Sequence, residues 1–455
     1  MGLAVMPAAA AQSLATPPHS GREDTNTYVL TLAALTFAVL LLAGCAPKAP
    51  AGDAELARFL QAKETQARVL AQQSNLKMPA QAWSLFDYLQ SDKWSKATNA
   101  FAGLQFRSGR SGAPVPPSPL QAIVDTVNQA GLKIGLPPPK ASALQEAPWH
   151  AIVDAHWAYV LSKTWRNEAL DLITGGIQKT VPPGAIFFGD SDPGRFAMAR
   201  AMESEDPGKR FCVITQNQLT DYTYWDYARS LNYVTMPSID DFNSAYTRYH
   251  AGAFGTGSVA VAAMNAEFSL QILRANPGRR IYMEASWFVP EWAYERALPR
   301  GLVFELSQQP ISRLDQAILD ADREFWSGLC KKLLGDAIRR ESSIGEVCEF
   351  VEGIYVRNDL STFAGDRKYA SDALAQDWFG MARHGSAALY QRRCIRAEGI
   401  EEKERMLDES IFAYKQTFAL SPLISKDFAD MLLQIGRTNE AARILSVRGK
   451  VAGRL

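Results

Sequence analysis

Short apolar runs alternate with helical patterns between residues 181 and 307, and this alternation constrains the fold more than any other feature of the sequence. We expect strands at 185–188, 211–216, 233–236, 279–285 and 302–307. The helical patterns between them, at 194–203, 222–231, 259–275 and 290–298, are long enough to connect parallel strands. The pattern predicts an α/β domain over residues 146–312, with helices and a mainly parallel sheet in three layers.

The regions on either side of this domain are predicted to be helical. Residues 46–145 are expected to form a linker and helical hairpins, and residues 313–455 a second helical region. Within the latter, SIFAYKQTFALSP at 410–422 resembles the second helix and closing proline of a tetratricopeptide repeat, and the turn at Gly436 resembles that of a further unit. Fewer than three good repeats are recognisable, so we expect them to pack on the α/β domain.

An uncharged stretch, Tyr28–Ala46, is about long enough to cross a bilayer core at roughly 20 residues. It ends in Leu42-Ala43-Gly44-Cys45, which resembles the bacterial lipobox, where a signal peptide is cut before a lipid-bearing cysteine. Residues 1–45 are therefore expected to be a disordered start plus a signal peptide, with Cys45 as the lipidation site. A transmembrane anchor is the alternative, because acidic residues precede the apolar run.

Either reading predicts a protein of the bacterial cell envelope that is anchored in a membrane and faces the periplasm. If the chain is a lipoprotein, the neutral Ala46 after the cysteine favours the outer membrane. Lys+Arg and Asp+Glu are both 48, so no net field attracts a polyanion and nucleic acid is excluded as a partner. The cysteines lack Cys-x-x-Cys spacing, and the histidines lack the spacing of metal ligands.

Polar residues with potential for ligand binding follow the first expected strand. Asp190 and Asp192 flank a serine, and Arg195 lies near the start of the next helix. Two carboxylates suit Mg²⁺ or Mn²⁺, and the arginine suits an anion. The structural alternative is that Asp192 caps the helix and Pro193 occupies its first turn.

Gln216 and Asn217 lie at the end of the second expected strand, and Glu284 lies at the end of the fourth. Because parallel strands end at one edge of a sheet, we expect these side chains beside the acidic loop, where open α/β sheets bind ligands. The alternative for the Gln-Asn pair is a loop that satisfies its own backbone. The sequence identifies no cofactor, and Gly255-Thr256-Gly257 lacks the preceding strand of a dinucleotide loop.

The segment from about 150 to 310 resembles the soluble part of uncharacterised bacterial multi-pass envelope proteins whose membrane half is like that of protein O-mannosyltransferases. The resemblance rests on Gly189-Asp190-Ser191-Asp192-Pro193, on Thr215-Gln216-Asn217 and on the order of the elements. The multi-span half is absent from this chain, so no glycosyl transfer follows from the resemblance. It implies an envelope-facing α/β module.

We therefore expect a membrane-tethered protein whose α/β domain binds a ligand or protein and whose helical repeats contact a protein partner. The expected ligand-binding residues are Asp190, Asp192, Arg195, Gln216, Asn217 and Glu284. The alternative is an envelope enzyme acting on a phosphorylated or glycosyl substrate, with the two aspartates as metal ligands, Arg195 as an anion clamp and Glu284 as a base. The sequence leaves open whether the protein is an enzyme.

Overall fold

The computed structural model describes residues 51–75, a few positions between 78 and 91, and residues 147–454 apart from 232–233, 252, 254–256 and 287–288. The apolar stretch, Cys45 and the second half of the first predicted hairpin lie outside these residues. Gly52–Leu455 forms one compact unit. Within the described part of the chain, no helix combines the length and the apolar character needed to span a bilayer.

Among the described residues, many helices surround one sheet of five short strands. The strands are β1 (Ile186–Gly189), β2 (Cys212–Thr215), β3 (Ile281–Glu284), β4 (Ala297–Arg300) and β5 (Val303–Leu306). Their order across the sheet is β2-β1-β3-β5-β4. β1 pairs in parallel with β2 and β3, whereas β5 pairs antiparallel with β3 and β4. The α/β expectation is thus confirmed in its coarse form, and the sheet is mixed.

Two elements of the predicted pattern are wrong. Residues 234–236 form no strand. The side chain of Asn276 takes the place of a neighbouring strand, because it accepts a 3.1 Å hydrogen bond from the N–H of Thr235 and donates a 2.8 Å hydrogen bond to the carbonyl of the same residue. The predicted helix 290–298 ends early, and β4 follows it. Gly301, with φ of 70°, allows the tight turn into β5, and Pro299 is tolerated because β4 is an edge strand.

The helices precede, connect and follow the strands. Those up to the end of the sheet region are α1 (Ala51–Gln73), α2 (Ala147–Thr164), α3 (Asn167–Thr180), α4 (Met198–Ser204), α5 (Tyr222–Ser230), α6 (Ile239–His250), α7 (Gly257–Ala275) and α8 (Glu291–Tyr294). Those after it are α9 (Gln316–Leu334), α10 (Ile344–Val351), α11 (Arg367–Ala370), α12 (Ala373–Arg396), α13 (Ile400–Leu420), α14 (Lys426–Gln434) and α15 (Thr438–Arg454). All residues of β1 and β3 are buried, so both faces of the sheet centre are covered.

Helix α12 is the main link between the helical C-terminal region and the sheet. At its middle, Gly385 lies so close to β3 that an added Cβ would come 3.1 Å from the backbone nitrogen of Ser286. Arg383, which is fully buried, pairs with Asp322 of α9 at 2.8 Å and donates to Gln416 of α13 at 2.8 Å. One helix therefore contacts the chain just after β3 as well as α9 and α13.

The last helices follow the pattern that resembles a tetratricopeptide unit. Pro422 comes two residues after the end of α13. Helices α14 and α15 pack against each other, and Gly436 between them has φ of 80°. The predicted turn at this glycine is present, and α15 is the second helix of the pair.

Helix α1 is joined to the rest of the unit by a buried polar cluster. Lys63 donates a 2.6 Å hydrogen bond to the hydroxyl of Tyr227 in α5 and lies 3.2 Å from the carboxylate of Asp154 in α2. The Tyr227 hydroxyl donates to the same carboxylate. Because the lysine and aspartate are both buried, their charges are balanced inside the protein rather than by solvent.

Candidate functional site

The carboxyl ends of β2, β1 and β3 lie side by side at one edge of the sheet. The register places Gly189 of β1 beside Thr215 of β2, and Phe188 beside Met283 of β3. The chain leaves β1 towards β2 on one side and later returns to β3 on the other, which makes this edge a switch point of the topology. Ligands bind at such a point in open α/β sheets. The structure thus brings together the polar residues that follow the three strands.

Glu284 occupies the crevice between β1 and β3 with its own carboxylate. One oxygen, Oε2, accepts hydrogen bonds from the backbone N–H groups of Asp190 at 2.8 Å and Ser191 at 2.9 Å. The other, Oε1, accepts from the Ser191 hydroxyl and from Nε1 of Trp378 in α12 at 3.0 Å. Gly194 leaves room for this group, since a Cβ there would lie 2.0 Å from Oε2.

The surroundings of Glu284 indicate a structural role rather than that of a base. The side chain is buried, and burial raises its pKa even though the bonds from Ser191, the Asp190 backbone and Trp378 lower it. Its two oxygens are already bonded to four donors of the protein. A carboxylate held in this way has no free position at which to take a proton from a substrate.

Asp190 lies beside Glu284 and is also buried. Its carboxylate accepts a 3.1 Å hydrogen bond from the hydroxyl of Ser286. Burial, together with the negative charge of Glu284, raises the pKa of Asp190 to about 7, although Ser286 and Arg195 lower it. The inner half of the crevice thus contains two neighbouring buried carboxyl groups, and the pKa of each is raised above its ordinary value.

The outer half of the crevice consists of Asp192, Arg195 and Asn217, which we call the rim. The Arg195 guanidinium lies 2.5 Å from Asp192 Oδ1 and donates a 2.9 Å hydrogen bond to Asn217 Oδ1. This chain of contacts bridges the loops after β1 and β2. The Asp192 side chain is 38% exposed, whereas Asp190 is only 6% exposed. The rim is therefore the part of the predicted site that solvent can reach.

The helix after the acidic loop is not capped by Asp192, although the structural alternative for this loop predicted that cap. Asp192 has helical backbone angles and makes no capping hydrogen bond, because its carboxylate pairs with Arg195. Instead, the Ser191 hydroxyl accepts a 3.1 Å hydrogen bond from the N–H of Gly194. The first turn, Pro193–Ala197, is π-helical before α4 continues as an α-helix. Ser191 is thus the capping residue, and the assignment to Asp192 is wrong.

Gln216 and Asn217 have different environments although they are adjacent. Gln216 is buried, whereas Asn217 reaches the rim and its carbonyl accepts a 3.3 Å hydrogen bond from the Asn265 side chain. The backbone N–H of Thr215 donates to the hydroxyl of Tyr224 at 2.6 Å. The loop after β2 is thus tied to α5 and α7, and only Asn217 belongs to the exposed part of the site.

The two aspartates are bonded to different partners. Asp190 bonds to Ser286 and Asp192 bonds to Arg195. Across the described residues, there is no group of three or more histidine, cysteine, aspartate or glutamate side chains arranged to hold a metal ion. Residues 239–250 form the helix α6, whereas residues 252 and 254–256, which include most of the Gly255-Thr256-Gly257 sequence, lie outside the described residues.

Comparisons with known proteins give no identification. No protein family, curated protein or solved structure matches the chain.

The sequence did not predict that Trp378 and Ser286 belong to the site, where they bond to Glu284 and Asp190. Trp378 follows Glu284 by 94 positions and lies in a helix of another region, so no local motif links the two. A weak signal is present in the glycines of α12, since glycine inside a helix often marks a close approach of two backbones. Gly385 marks such an approach to β3. Ser286 lies two residues after Glu284, but its hydroxyl has no recognisable spacing to Asp190.

Proposed function

We propose that this chain is a membrane-tethered protein of the bacterial envelope that acts as a ligand- or protein-binding module. The observation that carries the proposal is the division of the strand-end crevice. Its inner half is filled by Glu284 and Trp378, while its outer half, the rim, is accessible to solvent and held in place by hydrogen bonds. A prearranged and exposed polar surface suits binding, and a filled inner half leaves little room for a reacting group.

The rim favours a polar ligand. Arg195 is held between Asp192 and Asn217, so a partner that approaches the rim meets a carboxylate, a guanidinium and an amide in fixed positions. The guanidinium lies over the ring of Phe196 with its carbon 4.7 Å from the ring centroid, which further restricts its motion. A ligand with both donors and acceptors matches this set of groups.

The alternative function is a metal-dependent envelope enzyme acting on a phosphorylated or glycosyl substrate. It requires Asp190 and Asp192 to bind one cation together. Their carboxylates are directed to different partners, Ser286 and Arg195, and Asp190 is buried. Binding at the rim needs no rearrangement of these groups, and we therefore prefer it.

The proposed membrane tether and the proposed compartment are inferred from the amino-acid sequence. The uncharged stretch ends at Leu42-Ala43-Gly44-Cys45, and we propose that Cys45 carries the lipid of an envelope lipoprotein facing the periplasm. Mass spectrometry of the mature N-terminus tests this. A lipidated Cys45 at the new N-terminus supports a lipoprotein, and an intact segment upstream of Cys45 without lipid contradicts it.

We further propose that the helices cover both faces of the sheet in three layers, with parallel pairing confined to the half that carries the site. The complete burial of β1 and β3 supports this arrangement. The C-terminal helices, which resemble tetratricopeptide units, would then present their outer surface to a protein partner.

Native mass spectrometry of the full chain purified from membranes tests binding at the rim. We expect a ligand to be retained by the wild type and lost from Arg195→Ala. The matched control is Arg229→Ala, which removes another arginine paired with an aspartate three residues earlier, at 3.0 Å. Equal retention in all three forms would contradict a ligand site at the rim.

A further inference from the structure

A second potential binding site lies at the far end of α12 from Trp378. A small open cleft of about 90 Å³ lies between the end of α8, the loop after β5 and the adjoining ends of α12 and α13. Arg393 in this cleft follows Trp378 by 15 positions, which corresponds to roughly 22 Å along a helix. The cleft is therefore separate from the crevice at the strand ends. Its charged and aromatic lining residues are Tyr294, Glu295, Arg392, Arg393, Arg396 and Glu402.

Tyr294 presents an unused hydroxyl to this cleft. The residue is 8% exposed, and its hydroxyl has no hydrogen-bond partner among the residues that the structure describes. Burial raises the pKa of Tyr294 to about 12, so the hydroxyl keeps its proton at neutral pH and is a donor. The hydroxyl is not among the fully enclosed polar atoms without a partner, so it is reached from the cleft and can donate to a ligand acceptor there.

The charges around the cleft are unequal. Glu295 pairs with Arg396 at 2.7 Å, and Glu402 pairs with Arg405 at 2.7 Å. Three further charged residues form ion pairs here: Arg313 pairs with Glu402, and Glu291 pairs with both Arg392 and Arg396. Together with Arg393, five arginines face three glutamates. Among these groups the arginines exceed the glutamates by two, and Asp427, which pairs with His384 at 2.9 Å, adds one negative charge near Tyr294.

Arg392 and Arg393 account for this excess. Arg393 donates to backbone carbonyls only, among them that of Ile311 at 2.9 Å, and to no carboxylate of the described residues. Burial lowers the pKa of its guanidinium below the ordinary value. Arg392 lies 3.6 Å from Glu291, which is held more closely by Arg396 at 2.8 Å. Neither cation is fully compensated within the protein.

We propose that this cleft binds a phosphate group through Arg392, Arg393 and the hydroxyl of Tyr294. A phosphate offers several acceptor oxygens and a charge of the required sign, and arginine is well suited to it. The phosphate belongs either to a free soluble anion or to a phospholipid headgroup. Two exposed isoleucines, Ile395 and Ile400, lie on the same helix ends and are 61% and 76% exposed, so the two sources need separate tests.

The test uses the full chain in a nonionic detergent at low ionic strength. In one arm, inorganic phosphate is titrated by calorimetry. In the other, phosphatidylglycerol or phosphatidylcholine is mixed into the micelles at equal fractions, and thermal unfolding is followed. Binding in the first arm identifies a free anion. A rise in melting temperature with phosphatidylglycerol alone, reduced in Ile395→Ser/Ile400→Ser, identifies a headgroup. Failure to bind in both arms overturns the proposal.

Variants of the lining connect the signal to the cleft. Tyr294→Phe removes only the hydroxyl, and Arg392→Gln removes an exposed cation, so both are expected to fold. Each should weaken binding about tenfold, as expected for one hydrogen bond to a charged group. The matched control is Arg443→Gln, because Arg443 is 47% exposed and pairs with Glu349 on another surface. Wild-type binding by both cleft variants, or an equal loss in the control, would overturn the assignment to this cleft.

Discussion

The carboxylate of Glu284 accepts a 3.0 Å hydrogen bond from the indole of Trp378, a residue 94 positions later in the chain. This bond joins the end of a central strand to the helix that organises the C-terminal region. It also closes the inner half of the crevice in which an open α/β sheet would hold a ligand. The same contact therefore stabilises the fold and directs any ligand to the exposed rim.

Trp378→Phe should lower the free energy of unfolding more than the same change at a matched position. The indole N–H of Trp378 donates to both Glu284 and the Ser191 hydroxyl. Trp326 is equally buried, but its indole N–H has no acceptor in the described structure. We expect Trp378→Phe to cost about 2 kcal/mol more than Trp326→Phe, measured by denaturant unfolding. Equal losses would mean that the two hydrogen bonds contribute nothing.

Asp190 should make stability depend on pH with a definite sign. Its folded pKa of about 7 lies above the ordinary 3.8, so its contribution is fully present below about pH 4 and is lost as the pH rises through 7. We expect the stability of the wild type relative to Asp190→Asn to fall by about 2.6 kcal/mol from pH 5 to pH 8.

The control for this pH series is Asp206→Asn, since Asp206 is 78% exposed and its ion pair with Lys209, at 3.4 Å, is at the surface. Its difference from wild type should stay nearly constant over the same range. A flat difference for Asp190→Asn as well would contradict a proton on Asp190 near neutral pH. Isothermal denaturation with urea at each pH supplies the measurement.

His156 should act in the opposite direction. Burial lowers its pKa to about 4, below the ordinary 6.5, so the unfolded chain binds a proton that the folded chain excludes. Stability attributable to His156 is present above about pH 6.5 and is lost as the pH falls towards 4. His156→Phe should lose about 2 kcal/mol less than wild type on acidification from pH 7 to pH 5. An identical loss in both proteins would contradict the neutral, buried state of this histidine.

Arg383→Met should be strongly destabilising because it leaves Asp322 charged inside the protein. The pair is 1% exposed on both sides, and Asp322 also accepts from the hydroxyl of Tyr390 at 2.7 Å. The expected cost is about 3–5 kcal/mol, and adding Asp322→Leu should recover most of it. Thermal and denaturant unfolding of the single and double variants measure both steps. No recovery in the double variant would show that packing, not the unpaired charge, causes the loss.

The sequence predicted the meeting of polar residues at the strand ends because parallel strands necessarily end at one edge. Asp190, Asp192, Asn217 and Glu284 do lie there. The functions of these side chains were less predictable, because they depend on distant partners. Trp378 determines the environment of Glu284, and Arg195 takes the carboxylate of Asp192 away from capping.

The two errors in the strand pattern have the same physical origin. Residues 233–236 have the composition of a strand, but the amide of Asn276 satisfies the backbone of Thr235 in place of a neighbouring strand. Residues 297–300 contain a proline and resemble a helix end, yet the turn at Gly301 pairs them with β5 at the sheet edge. In both cases a tertiary contact overrides local propensity.

Thermal unfolding of the full chain with and without Mg²⁺ or Mn²⁺, in wild type and in Asp190→Asn, tests most directly the choice between ligand binding at the rim and metal-dependent catalysis at the strand-end site. Because Asp190 and Asp192 are committed to Ser286 and Arg195, we predict that neither cation changes the melting temperature of either protein. A rise of several degrees in the wild type that Asp190→Asn abolishes would contradict this account and establish a metal site at the switch point.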